Sequence, residues 1–103
     1  MLYHVTMEVR IPLDADPALV AQRVADERAA SHDLQRGGEW RHLWRMVGRY
    51  ANVSIFDVAD HARLHEILSG LPLFAWMEIT VSALTTHPSA LPEATRDAAG
   101  GAR

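Results

Sequence analysis

The chain has no cysteine among its 103 residues. That excludes disulfides and thiol nucleophiles, removes the strongest metal ligand and fits a reducing cytoplasm. No apolar run approaches the length of a membrane span. Charges interrupt the opening MLYHVTMEVRIPL before an apolar core forms, so no signal peptide is expected. Positive charge is not in surplus: the formal net charge is −3, which gives no reason to expect a nucleic-acid partner. The G-x-S-x-G elbow, the P-loop and the dinucleotide fingerprint are all missing. What is present is ordinary for one soluble domain, with 49% hydrophobic and 22% charged residues.

Residues 2–11 alternate, with Tyr3, Val5, Met7, Val9 and Ile11 on one side, and predict a half-buried strand. Asp16 is a natural N-cap and Pro17 a natural first helical residue; Gly37-Gly38 stops the helix after Arg36. Strands are expected at about 40–47 and 51–57, joined by a turn near Gly48 to Tyr50. A second helix is expected from Asp60 to Ser69, and a fourth strand at about 76–86. The order β-α-β-β-α-β predicts an α+β, ferredoxin-like domain over residues 1–89: a four-stranded antiparallel sheet with two helices on one face. Residues 90–103, rich in Ala, Gly and Pro, are expected to form a flexible tail.

One residue breaks the helical pattern. On a wheel, Glu27 falls between Val20, Val24 and Leu34, on the stripe that should meet the sheet. A carboxylate there is costly unless paired or protonated, and burial would raise its pKa toward the range of a general base. The bland alternatives are a kink or early fraying that swings it to solvent, or an ion pair with Arg23, four residues earlier.

The segment EWRHLWRMVGRYANVSIFDV, residues 39–58, concentrates two tryptophans, three arginines and a histidine in one hairpin. A two-residue turn between Gly48 and Ala51 predicts Trp40, His42, Trp44 and Met46 facing the helices with Val53 and Ile55. Arg41, Arg45, Asn52 and Ser54 would then lie on the open face. Arg41, Arg45 and Arg49 make a cationic row that suits either intersubunit ion pairing or capture of a substrate carboxylate, with Arg45 the candidate for the latter. His61 and His65, at i and i+4, invite a metal, but no third ligand is evident and none is expected. The equipment suits moving a proton on a small organic anion.

WRHLWR (40–45), YAN-x-S-x-FDV (50–58), LPLF (71–74) and HPS (87–89) together resemble the muconolactone Δ-isomerase family, as do the opening ML-x-H-V and the P-x-D-x-DP segment. The resemblance runs from Met1 to about Ser89. It implies a cofactor-free bacterial isomerase of catechol breakdown by the β-ketoadipate route, cytoplasmic, acting on a small lactone and assembled as a homodecamer. It matches Glu27 to a glutamate of the family's active site, the catalytic candidate, and Arg23, His42, Trp44, Arg45, Tyr50 and Asn52 are the candidate substrate-binding residues. An open sheet face mixing Leu43, Val47 and Phe56 with arginines agrees with self-association. Two departures stand out: the family often has a lysine near Arg23 or Val24, and a tyrosine where this chain has Trp76. Relatives that process chloro- or methyl-lactones, a non-enzymatic anion-binding domain and a cofactor-free monooxygenase are the competing readings.

Overall fold

The computed structural model describes residues 1–92. In chain order the elements are β1 (Leu2–Val9), α1 (Pro17–Arg36), β2 (Trp40–Arg45), β3 (Ala51–Asp57), α2 (His61–Ser69) and β4 (Met77–Leu84); a 3-10 turn, Phe74–Trp76, precedes β4. The strands pair antiparallel in the order β2-β3-β1-β4, the ferredoxin-like plan expected from sequence. Most of the tail expected at 90–103 lies outside the described residues.

The helix boundaries follow local chemistry. Asp16 Oδ1 accepts from the Ala18 N–H at 3.2 Å, and Gly37 donates back to the Asp33 carbonyl at 2.9 Å. Asp60 caps α2 by accepting from the Arg63 N–H at 2.8 Å.

The two helices do unequal work. Helix α2 buries Leu64, Ile67 and Leu68 against Tyr3, Val5 and Phe56 of the sheet. Helix α1 is longer, yet Ser31 is its only buried residue. One helix closes the core and the other roofs a space.

The hairpin corrects the expected turn and face. Its loop has four residues, Val47–Tyr50, closed by the Met46 N–H on the Ala51 carbonyl at 3.0 Å, with Gly48 at φ +78°. Trp44 therefore opposes Val53, two residues nearer the turn than the two-residue loop would place its partner, Ile55. The face is inverted as well. Tyr3, Val5 and Met7 of β1 stand opposite Phe56, Ser54 and Asn52, so these three look toward the helices while Val53 and Ile55 look away. Phe56 sets this parity, because as the largest side chain of β3 it takes the fully buried position against Tyr3 and Trp40. A bulge between Trp40 and His42 then keeps Trp40 inward but turns His42 and Trp44 onto the open face. Arg45, opposite Asn52, comes to the helix side. Leu43 opposes Ser54 and also joins that side, and Val47 sits in the loop, so the apolar residues expected on the open face are elsewhere.

Candidate active site

Glu27 sits where the wheel puts it. The inward stripe of α1 is Val20, Val24, Glu27, Ser31 and Leu34, at alternating spacings of four and three, and each of these residues is at least half-buried. Glu27 Oε1 accepts the Leu73 N–H at 3.0 Å. That N–H stands just before the 3-10 turn, where a leading donor has no partner within the turn. Burial raises the Glu27 pKa above its ordinary 4.5, and the Leu73 donor pulls partly the other way. No cation pairs with it among the described residues.

Below Glu27 lies a cavity of about 320 Å³, within the range that small-ligand sites occupy. Glu27, Ser31 and His32 form its α1 wall, with Arg45, Asn52 and Tyr50 across from them. Arg45 and Asn52 are cross-strand partners, so a guanidinium and a carboxamide stand side by side. Arg45 lies 5.3 Å from the centre of the Tyr50 ring and, among the described residues, meets no carboxylate. Trp40 closes the floor at 2% exposure, its Nε1–H without a partner among the described residues.

Four of the residues singled out from sequence thus converge: Glu27, Arg45, Tyr50 and Asn52. Three do not. His42 and Trp44 stack with rings 5.1 Å apart on the opposite face of the sheet, with Trp44 54% exposed. Arg23 leaves Glu27 alone and lies over the Trp76 ring at 4.6 Å. Of the histidines, His61 Nδ1 is taken by the Tyr3 hydroxyl. Among the described residues no three His, Asp or Glu side chains come together to hold a metal ion.

Three contributors were not singled out: Ser31, His32 and Leu73. Ser31 was readable, since it continues the stripe one turn after Glu27. Leu73 was not, because its contact spans 46 residues of chain and depends on how the α2–β4 connection folds back.

A half-buried carboxylate facing an unpaired guanidinium across an apolar-walled cavity can shuttle a proton on an anionic substrate held at a fixed distance. A family profile described as Muconolactone delta-isomerase matches residues 1–90. The chain belongs to the muconolactone Δ-isomerase family. A muconolactone Δ-isomerase of Acinetobacter lwoffii is 52% identical over 91 residues, covering 88% of this chain and 95% of the relative. One from Rhodococcus opacus is 51% identical over 88 residues, 85% of this chain and 95% of that one. A crystal structure of muconolactone isomerase superposes with a TM-score of 0.85 at 50% identity, covering 90% of this chain and 97% of the other. Arg23 and Trp76, which lie at or beside the two departures expected from the muconolactone isomerase resemblance, pack on one another.

Proposed function

We propose that this chain is a cofactor-free isomerase that converts muconolactone to 3-oxoadipate enol-lactone in catechol breakdown through the β-ketoadipate route. The observation that carries the reading is Glu27, desolvated on the cavity wall across from Arg45. The Glu27 carboxylate takes the ring proton from the carbon bonded to the ring oxygen. The released electron pair moves through the ring double bond to the carbonyl and gives a 2-oxyfuran dienolate. Protonated Glu27 then returns the proton to the carbon beside the carbonyl, so the double bond migrates and no atom is gained or lost. Arg45 holds the acetate arm, and Tyr50 and Asn52 meet the ring. His42, Trp44 and Arg23 have no part in this scheme within one chain.

The proposal extends to a cytoplasmic homo-oligomer, a decamer as the family resemblance implies, with residues 1–89 as the working domain. The exposed Trp44 and Leu84 on the strands support association. The test of the activity is direct. Purified protein incubated with muconolactone, with and without oxygen, should give the enol-lactone at equal rates. No conversion, or conversion that needs oxygen, would defeat the reading.

A further inference from the structure

Asn52 can show the cavity either end of its carboxamide, and the two ends have opposite chemistry. An Nδ2–H would stabilise an oxygen gaining negative charge; an Oδ1 would repel it. The residue that decides between them lies outside the cavity wall.

Ser54 is two residues along β3 from Asn52 and points to the same side of the sheet. It is 0% exposed, a polar side chain at a position where the strand otherwise buries Ala51 and Phe56. Its Oγ lies 2.8 Å from Asn52 Oδ1, and this is the one side-chain hydrogen bond it makes among the described residues. With Asn52 turned the other way, Nδ2 would donate to Oγ and the buried hydroxyl proton would be left with no acceptor. With Ser54 donating to Oδ1, both groups are satisfied. The serine therefore consumes the oxygen of the amide and leaves Nδ2 as its free end. Asn52 lines the cavity, and its cross-strand partner there is Arg45.

We propose that Ser54 is a positioning residue: it fixes the Asn52 carboxamide so that Nδ2–H donates to the lactone carbonyl oxygen, where charge gathers in the dienolate. This rests on the isomerase reading. The cavity is then divided by role. Glu27 moves the proton from the helix side, Arg45 holds the carboxylate arm, and the Asn52 amide receives the oxyanion beside it. A donor held in place before the reaction needs no reorganisation at the transition state, which is where such donors are most effective. The arrangement also selects for substrates with a hydrogen-bond acceptor at the ring position facing β3. An analogue with the carbonyl replaced by a methylene would lose the contact.

The test is a double-mutant cycle on muconolactone turnover with Ser54→Ala, Asn52→Ala and the double variant, each checked for fold by circular dichroism. Asn52→Ala should lower kcat by about 10²–10³-fold, the usual cost of losing one oxyanion donor. Ser54→Ala should lower kcat about tenfold with KM little changed, because the amide is freed to turn but not removed and Arg45 still anchors the substrate. In the Asn52→Ala background, Ser54→Ala should have no further effect on kcat. Ser54→Cys, which keeps a weak donor, should recover part of the loss. Wild-type kcat in Ser54→Ala, or an equal fall in both backgrounds, overturns the positioning role and leaves the isomerase intact. A wild-type protein that does not isomerise muconolactone overturns both.

Discussion

The two faces of this sheet treat charge in opposite ways. On the open face Glu8 accepts from Arg10 at 3.1 Å and from Arg49 at 3.0 Å, and Arg10 reaches Glu78 at 2.8 Å. On the helix face Glu27 and Arg45 share a cavity, and neither has an ion partner among the described residues. The carboxyl pKa values diverge accordingly. Arg49 first, then Arg10, hold Glu8 below the ordinary carboxylate value, while burial pushes Glu27 above it. A face that serves structure neutralises its charges internally. A face that serves a ligand leaves them unmatched, because the ligand supplies the partner.

The largest break in that comparison is Glu27→Gln, which keeps the shape and removes the base. Turnover should fall by about 10²–10⁴-fold while the fold survives. In the wild type, kcat/KM should rise with pH as Glu27 ionises, with a midpoint above 4.5. Stability runs the other way. A carboxyl whose folded pKa is raised binds its proton more tightly when folded, so stability is lost as pH climbs from the unfolded value through the folded one. Glu27→Gln should therefore be more stable than wild type at neutral pH, and the gap should close below about pH 4.5. Denaturant melts across pH would show it; a pH-independent gap would mean Glu27 is not desolvated.

Next in size is Ile55→Glu on the open face. Ile55 stands beside His4 on β1 and opposite His42, the first paired residue after the bulge on β2, in the middle of the sheet. If that face is covered by another subunit, an unpaired carboxylate there should weaken association at least about 10²-fold. Light scattering after size exclusion should show a lower mass with an unchanged helical signal. Unchanged mass would mean the open face is solvated.

Arg45→Ala comes third. Losing a charge-assisted contact to the acetate should raise KM about 10- to 100-fold and leave kcat nearly unchanged. Steady-state kinetics that matched wild type would return Arg45 to a packing role over Tyr50.

The difference between the faces was only half legible in sequence. Glu27 could be read because Val20, Val24 and Leu34 mark one side of α1 at helical spacing, and a charge among them is conspicuous. The caps were equally readable, since Asp16, Pro17 and Gly37 act on their own neighbours. Which way the hairpin faced could not be read. Strand β3 carries apolar residues on both sides, Val53 and Ile55 outward and Phe56 inward, so alternation does not decide between the faces. The bulge after Trp40 adds an uncounted residue that leaves one tryptophan in the core and the other outside. Ser54 misleads further, as a buried polar residue whose partner is two positions away on the same face. Arg45 and Asn52 stood out through family motif and charge, not through geometry.

The smallest expected effect is Arg49→Met, which removes one of the two arginines holding Glu8 and leaves the other. Glu8 has a depressed folded pKa, so its pairing adds stability above the ordinary value of 4.5 and loses it as pH falls through the lower folded value. Arg49→Met should bring the Glu8 pKa partway back and make the acid limb of the stability curve shallower. The pair is exposed in the single chain, so the loss at neutral pH should be slight and should fade as salt rises. Thermal melts at low and high ionic strength, at neutral and acid pH, are the measurement. A large loss that salt does not reduce would mean that the pair is desolvated, and water can be driven from it only if a second subunit covers the open face. Arg49→Met would then report on the same interface as Ile55→Glu. Parallel losses in both variants would make the open face as specialised as the helix face, with a protein rather than a lactone as its ligand.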